Sequence, residues 1–201
     1  HFLFNSLNAG AQLAMMEDAE QTGIFVEKMA DFFRYNVKKG QEDATLGEEL
    51  ESVDNYIYIL NVRFAGDIHF SKEADESLEH VRVPSMILQP IVENAVNHGI
   101  RDIEWEGRIH LTVTGDADYI RISVKDNGKG MTQEQIESVL SGNKEYGKEE
   151  SDSTGIGMNN VISRLELYYE EKGLVEISSE GEGKGTEVVV YIPVNYNNFR
   201  K

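Results

Sequence analysis

The sequence contains no cysteine, few basic residues for its number of acidic ones, and no long apolar run. Without cysteine, disulfides, thiolate zinc sites and cysteine nucleophiles are excluded, and the composition is compatible with a reducing compartment. The 19 basic residues against 36 acidic ones give a net charge of −17, which disfavours direct nucleic-acid binding and docking on anionic lipid. No apolar run approaches the roughly 20 residues that span a bilayer, and we expect no signal peptide in this sequence.

The residues that are present are typical of a globular protein. The 201 residues are 40% hydrophobic and 27% charged, enough for one large domain or for a small domain and a medium one. The first residue is His1 instead of Met, so we expect the chain to be part of a longer protein.

Residues 1–66 are predicted to be helical, because they lack the alternation of strands. Along the first helix an apolar stripe recurs at helical spacing, and a polar stripe that includes His1 and Asn5 lies on another face. A second helix is predicted from about Ile24 to Lys38. Its predicted inward-facing residues are Ile24, Met29, Phe32 and Phe33. A third helix starts at the capping box from Thr45 to Glu48 and is predicted to run to about residue 64.

After Gly66 the pattern changes to short strands and helices. The first predicted elements are a strand at 67–73, a helix at 85–98 that Pro84 starts and Gly99 closes, and an antiparallel hairpin of 108–114 and 119–125. They are followed by a short helix capped by Thr132, a polar mobile loop at 142–153, a helix at 156–170, and a hairpin of 174–179 and 187–193. This order predicts an α+β chain. A helical segment at 1–66 is followed, at 67–201, by helices on one face of a mostly antiparallel sheet.

Glu93 and Asn94 are adjacent polar residues in the middle of a predicted apolar helix. Asn94 offers a neutral carbonyl oxygen, which suits a magnesium ion that already carries phosphate and water. Glu93 could orient or deprotonate an attacking group. On the residues alone, two solvated polar positions on a surface helix are an equally good interpretation.

The stretch Asp126-Asn-Gly128-Lys-Gly130 follows a predicted strand. The carboxylate of Asp126 could accept a hydrogen bond from an exocyclic amino group such as that of adenine, and the glycines let the backbone approach a flat ring. Thr186 begins a central-looking strand, and its hydroxyl could approach Asp126. The alternative is an ordinary Asp-Asn-Gly turn.

The stretch Gly155-Ile-Gly157 opens a predicted helix, where backbone N–H groups can bind phosphate oxygens. It is not the dinucleotide fingerprint, because Asn160 occupies the place of the third glycine, and the sequence contains no P-loop. The similar-looking stretch from Gly183 to Gly185 has the wrong spacing and is interpreted as a plain hairpin turn.

In this order the three motifs resemble the N box and the two glycine boxes of the GHKL ATPases, which include gyrase, heat-shock chaperones, histidine kinases and mismatch-repair ATPases. The opening His-Phe-Leu-Phe-Asn-Ser-Leu-Asn resembles the H-box of the LytS/YesM-like sensor histidine kinases, and residues 56–64 and 84–99 also look like that branch. The resemblance covers nearly the whole chain. It implies a GHKL α/β sandwich and an ATP- and Mg²⁺-dependent autophosphorylation of a histidine, followed by phosphoryl transfer to a response-regulator aspartate.

The resemblance also implies roles for matching residues. His1 would be the phosphoacceptor, and Asn5 would position water for dephosphorylation. Many relatives carry an acidic residue where this chain has Phe2, so Glu93 is the candidate base. Asn94 would hold Mg²⁺, and residues 132–154 would form the ATP lid. The residues implied to contact the nucleotide are Asn94, Asn97, His98, Asp126, Gly128, Gly130, Met131, Thr154, Gly155, Ile156, Gly157, Met158 and Thr186.

Asn97 departs from the pattern, because relatives commonly carry lysine at that place. Arg164, Lys144 and Lys148 are candidates for the missing cation. The implied partners are a second copy of the chain, bound through the helical segment, and a response-regulator receiver domain. The full-length protein is expected to be membrane-anchored, with this part in the cytoplasm. Two alternatives stay open: a serine kinase of the anti-sigma type, for which His1 has no use, and a degenerate nucleotide-binding module, which Asn97 favours.

Overall fold

The computed structural model describes residues 19–38, 43–64, 66–101, 103–142 and 153–194, together with positions 6, 9, 10, 13 and 16. These residues form five α-helices, seven strands, a 3₁₀ turn and a π-helical turn. In chain order the elements are α1 (Ala19–Lys38), β1 (Asp43–Thr45), α2 (Leu46–Arg63), β2 (Ile68–Ala74), the 3₁₀ turn (Glu76–Leu78), β3 (Arg82–Pro84), α3 (Leu88–Asn94), the π turn (Ala95–Ile100), β4 (Gly107–Gly115), β5 (Tyr119–Asp126), α4 (Gln133–Ser141), α5 (Ser153–Tyr169), β6 (Val175–Ser178) and β7 (Glu187–Pro193).

Helices α1 and α2 pack against each other through apolar faces. Phe25, Met29 and Phe32 are buried on α1, and Phe32 stacks on Tyr56 of α2 with ring centroids 5.8 Å apart. The prediction that Ile24 faces inward was wrong, because Ile24 is 40% exposed. The buried residues follow the i, i+4, i+7 spacing that starts at Phe25, and Ile24 lies about 100° away from that stripe.

The predicted capping box at the start of α2 is confirmed. The hydroxyl of Thr45 accepts the backbone N–H of Glu48 at 3.2 Å, and the carboxylate of Glu48 accepts the backbone N–H of Thr45 at 2.8 Å. Both first-turn donors are therefore satisfied. The apolar residues that α2 buries are Leu46, Leu50, Val53, Tyr56, Ile57, Ile59 and Leu60.

A two-stranded antiparallel ladder joins β1 to β3, which the sequence did not predict. Three-residue strands carry too little alternation to be recognised. Pro84 was predicted to start a helix, but it ends β3, and α3 begins only at Leu88. This ladder crosses the domain boundary predicted after residue 66, which stays a prediction.

The main sheet has five strands in the order β2-β4-β5-β7-β6. The two predicted hairpins are confirmed, since β4 pairs antiparallel with β5 and β6 pairs antiparallel with β7. β2 is the exception, because it runs parallel to β4. The segment between them contains β3, α3 and the π turn, and such a crossover brings the chain back in the same direction.

Alternate side chains of β5 face inward, and the last of them is at the candidate site. Ile120, Ile122 and Val124 are each no more than 2% exposed and face the helices. Asp126 continues this row at the end of the strand, opposite Ile109 of β4. Because side chains alternate along a strand, the carboxylate of Asp126 points to the same face as the apolar core.

The helix that carries Glu93 and Asn94 does not end at Gly99 as predicted. After Asn94 it continues as a π turn to Ile100, and the N–H of Arg101 donates to the carbonyl of Val96, five residues earlier, at 3.0 Å. Single π turns inside helices are frequent at functional sites. Here the turn carries Gly99 against the end of β5.

Two predictions concern residues outside the described part of the chain. They are the apolar and polar stripes of the first helix and most of the polar loop at 142–153. Across the described residues, no helix combines the length and the apolar character that a membrane span requires.

Candidate functional site

Asp126 is the acidic group at the centre of the candidate site. Asp126 is only 6% exposed. Its Oδ1 accepts the backbone N–H of Gly128 at 2.8 Å and that of Thr186 at 3.3 Å. Burial raises the pKa of the Asp126 carboxyl, and these two N–H donors partly offset the rise. Both donors bind Oδ1, which leaves Oδ2 to accept a hydrogen bond from a ligand.

Two glycines form the wall beside this carboxylate. A Cβ atom on Gly99 would lie 2.8 Å from Asp126 Oδ1, and a Cβ atom on Gly128 would lie 2.1 Å from the carbonyl oxygen of Gly99. The N–H of Lys129 donates to that same carbonyl at 2.9 Å. Any larger residue would fill the space beside Asp126 or push the π turn away from β5, so the close approach requires glycine.

The loop after Asp126 is held by its neighbours. Trp105 donates its indole N–H to the carbonyl of Asn127 at 2.8 Å, and Asn127 Oδ1 accepts the N–H of Arg108 at 2.7 Å. Met131 donates its backbone N–H to Ser179 Oγ at 3.1 Å. Gly130 has a φ of 70° and packs on Gly181. The first glycine motif is therefore fixed to the β4 side and to the β6–β7 loop.

Glu93 and Asn94 lie at the end of α3, one turn before Gly99. Glu93 Oε1 accepts from Gln89 Nε2 at 2.7 Å, and burial raises the pKa of Glu93 while this hydrogen bond opposes the rise. Asn94 Nδ2 is buried and has no hydrogen-bond partner in the described part of the chain. An amide group oriented into such a place is suited to a ligand that completes its bonds.

Within the π turn, the side chain of Asn97 is exposed and that of His98 is half-buried. The pKa of His98 is lowered, first by burial and then by the positive charges of Lys129 and Arg101. These effects favour the neutral form of His98. Lys129 was not among the predicted site residues, although it lies between the two predicted glycines.

The second glycine motif lies in the first turns of α5, which begins at Ser153, so Thr154, Gly155 and Ile156 are helical. α5 packs against α3, and a Cβ atom on Gly157 would lie 3.9 Å from Cβ of Pro90. Met158 is 3% exposed, in the core. The structure thus brings the opening of α5 beside the helix of Glu93 and Asn94.

The outcome differs among the remaining predicted residues. His1, Asn5, Lys144 and Lys148 lie outside the described residues. Thr186 approaches Asp126 through its backbone N–H and not, as predicted, through its hydroxyl.

Sequence reasoning missed two residues that shape the site. Gly185 was taken as part of a plain turn, yet its φ is 74° and a Cβ atom there would lie 2.0 Å from the carbonyl oxygen of Asp126. Its position directly before a central strand was the available signal. Glu49 accepts the N–H groups ahead of α3, and nothing in the sequence distinguishes it from other acidic residues of a first helical turn.

A cavity of about 220 Å³ lies elsewhere, between α4, α5 and the start of β6. It is lined by Leu140, Ile162, Glu166, Gly173, Leu174 and Val175. None of these residues was predicted to contact a nucleotide.

Comparison with known proteins covers both halves of the chain. The family model described as histidine kinase-, DNA gyrase B-, and HSP90-like ATPase matches residues 82–196, and a model described as histidine kinase matches residues 1–68. The catalytic domain of the histidine kinase ThkA shares the fold with a TM-score of 0.54 at 20% identity, over 75% of this chain and 93% of that chain. The histidine kinase domain of the Erythrobacter litoralis EL346 blue-light activated kinase has a TM-score of 0.54 at 18% identity, over 92% and 85%.

Curated relatives align with nearly the whole chain. The sensor histidine kinase YpdA of Escherichia coli is 34% identical over 96% of this chain and 32% of that protein. The sensor protein LytS of Oceanobacillus iheyensis is 30% identical over 100% of this chain and 33% of that protein, and YesM of Bacillus subtilis is 29% identical over 96% and 31%. The chain therefore spans about a third of the length of these relatives. It belongs to the histidine kinase-, DNA gyrase B- and HSP90-like ATPase family, and its relatives are sensor histidine kinases of the LytS and YesM type.

Proposed function

We propose that this chain is the catalytic part of a sensor histidine kinase. It binds ATP with Mg²⁺, transfers the γ-phosphoryl group to His1, and passes that group to an aspartate of a response-regulator receiver domain. The chain acts as a homodimer through its helical segment, and the full-length protein is anchored in a membrane with this part in the cytoplasm. Phosphoryl transfer depends on positioning and charge neutralisation, which a preorganised site can supply.

The observation that carries the proposal is the arrangement around Asp126. A buried carboxylate with one oxygen fixed by two backbone N–H groups offers its other oxygen to a donor. Gly99 leaves no side chain against this carboxylate, and Gly128 lets the loop backbone lie close to Gly99. The exocyclic amine of adenine is a donor that the other oxygen of this buried carboxylate can accept.

Glu93 and Asn94 act on the phosphate side. Burial raises the pKa of Glu93, which brings it closer to the value that a general base needs at neutral pH. The buried Nδ2 of Asn94, which has no partner among the described residues, is a donor that suits a phosphate oxygen. When bound, Mg²⁺ would be held through the Asn94 amide oxygen and would neutralise phosphate charge.

The first turn of α5 supplies the phosphate-binding backbone. Its first four N–H groups, from Ser153 to Ile156, lack acceptors within the helix and are suited to anionic oxygens. Since α5 packs on α3, these donors lie on the same side of the molecule as Asn94.

The first test is calorimetry of Mg²⁺-ATP binding to wild type and to Asp126→Asn. We expect binding by the wild type and its loss in the variant. Asp116→Asn is the matched control, because Asp116 also accepts two backbone N–H groups but is exposed at the other end of β5, and it should bind like wild type. A wild type that does not bind ATP would overturn the proposal and favour the degenerate module.

The second test follows the γ-phosphoryl group. Wild type given radiolabelled ATP should form an acid-labile, base-stable adduct, and His1→Gln should form none. His80→Gln, which changes an exposed histidine between the 3₁₀ turn and β3, is the control and should keep the adduct. An adduct that persists in His1→Gln would show that another residue is the acceptor.

A further inference from the structure

Glu49 is a buried carboxylate that the proposed reaction does not use. It lies in the first turn of α2 and is 1% exposed. Burial raises its pKa, and several hydrogen bonds oppose the rise. A charged group in such a position is costly unless donors surround it, so its contacts indicate what it does.

Four donors converge on Glu49, and three of them are consecutive backbone N–H groups. Oε2 accepts the N–H of Ile87 at 2.9 Å and that of Leu88 at 2.8 Å. Oε1 accepts the N–H of Met86 and the hydroxyl of Tyr35, which belongs to α1. The carboxylate therefore joins α1, α2 and the start of α3.

The N–H groups that Glu49 binds are those that a helix leaves without acceptors. No side chain next to the start of α3 caps this helix, and the carboxylate of Glu49 on α2 accepts its first N–H groups instead. The negative charge also lies at the positive end of the α3 dipole. Met86 has a left-handed backbone with a φ of 59°, which a residue with a side chain adopts only when its surroundings hold it there.

The other end of α3 carries the residues proposed to act on phosphate. α3 has seven residues and is roughly 10 Å long, and Glu93 and Asn94 are the last two. Because α3 is this short, we expect it to move as a rigid unit, so that a displacement at Met86 would also displace Asn94. Arg164 of α5 donates to the carbonyl of Ser85, so the same segment also contacts the helix that opens at the second glycine motif.

We propose that Glu49 is a positioning residue for the nucleotide site, and that its hydrogen bond from Tyr35 makes the placement of Glu93 and Asn94 depend on α1. The inference rests on the proposed function, because it assigns a purpose to the position of those two residues. It adds a route by which a movement of α1 changes the placement of Glu93 and Asn94.

The test compares Glu49→Gln and Tyr35→Phe with two controls in the full chain. Thr45→Ala removes the α2 cap near Glu49 without touching α3, and Tyr119→Phe removes another tyrosine–carboxylate hydrogen bond, to Glu171, far from α3. The measurements are hydrogen exchange of individual amides, ATP affinity by calorimetry, and the rate of phosphoryl transfer.

Glu49→Gln should speed exchange of the Met86, Ile87 and Leu88 amides and weaken ATP binding, each by about tenfold. Tyr35→Phe should leave ATP affinity within about twofold of wild type but slow transfer by about tenfold. Both controls should keep affinity and rate within about twofold. Loss of stability alone does not produce this split between binding and rate.

Two results would overturn the inference. One is a Glu49→Gln protein with wild-type exchange at the three amides and wild-type ATP affinity. The other is a Tyr35→Phe protein with the wild-type transfer rate. If wild type itself binds no ATP, the proposed function fails and not this inference. In that case the positioning of α3 by Glu49 is tested separately, and unchanged hydrogen exchange at the Glu93 and Asn94 amides in Glu49→Gln would refute it.

Discussion

At the scale of single residues, the contact between Gly128 and the carbonyl of Gly99 decides how close the first glycine motif lies to the π turn. A Cβ atom on Gly128 would lie 2.1 Å from that oxygen, so the two backbones would have to separate. We expect Gly128→Ala to lower the free energy of unfolding by about 1–3 kcal/mol. We also expect it to abolish ATP binding.

Gly23→Ala is the matched control for this prediction. Gly23 is exposed on α1, and a Cβ atom there meets nothing within 4 Å. Alanine should therefore stabilise the helix by about 0.5–1 kcal/mol. Urea denaturation of both variants measures whether the free energy of unfolding falls in Gly128→Ala and rises in Gly23→Ala. Equal changes in the two variants would show that the contact between Gly128 and Gly99 does not constrain the backbone.

The raised pKa of Asp126 predicts a pH dependence of stability. Its folded pKa lies above the unfolded value of about 3.9. The group's contribution is therefore fully present below the unfolded value and is lost as the pH rises through the folded value. Asp126→Asn lacks this loss, so its free energy of unfolding relative to wild type should be higher at pH 8 than at pH 4. Urea denaturation at both pH values checks this, and a difference that does not change with pH would contradict it.

Glu93→Gln separates binding from chemistry. Glutamine keeps the shape of the side chain but cannot accept a proton, so ATP affinity should stay within about twofold while transfer to His1 slows by about 10²–10⁴-fold. Calorimetry and single-turnover phosphorylation measure the two quantities. A variant that transfers at the wild-type rate would assign the base elsewhere.

At the scale of elements, the two capping boxes should behave differently. Thr45 caps α2, which buries ten residues, whereas Thr132 caps α4, whose buried residue is Ile136. Each cap contributes about 1 kcal/mol to its helix. Thr45→Ala should lower the global free energy of unfolding by that amount.

Thr132→Ala should instead act locally, because few contacts connect α4 to the core. It should speed hydrogen exchange within α4 and leave global unfolding nearly unchanged. Amide exchange read residue by residue, beside urea denaturation, distinguishes the two cases. A global loss in Thr132→Ala as large as that of Thr45→Ala would contradict the prediction.

The sequence predicted those elements whose signals are local. The cap at Thr45, the cap at Thr132 and the hairpin around Gly115 depend on residues within one turn, and all three are confirmed. On α1 the prediction was right for Met29 and Phe32 but took Ile24 in place of Phe25, because these two neighbours are both apolar and only the packing partner on α2 selects between them.

Features that depend on distant residues could not be predicted from the sequence. The parallel pairing of β2 with β4 is set by the crossover between them, and the ladder of β1 with β3 joins residues about 40 positions apart. At the site, the position of Asp126 was predictable from strand alternation. The acceptance of three N–H groups by Glu49 was not, because its partners lie 37 to 39 positions along the chain.

At the scale of the whole molecule, the net charge of −17 acts against compactness and against anionic ligands. Salt screens this repulsion, since the Debye length falls from about 30 Å at 0.01 M to about 8 Å at 0.15 M. We therefore expect the melting temperature to rise between 0.01 M and 0.15 M sodium chloride. Thermal unfolding followed by circular dichroism measures this, and a melting temperature that falls with salt would mean that attractive pairs outweigh the repulsion.

The π turn between Asn94 and Arg101 has a consequence for how sequences of different length can be matched to this one. It is a one-residue insertion in helical terms, because its carbonyls bind N–H groups five positions later. Deleting one residue would restore the α-helical ladder and rotate everything beyond it by about 100°, which carries Gly99 away from Asp126. The number of residues from Asn94 to Gly99 is therefore as much a part of the motif as their identities, and a gap placed inside it in an alignment would separate the two halves of one site.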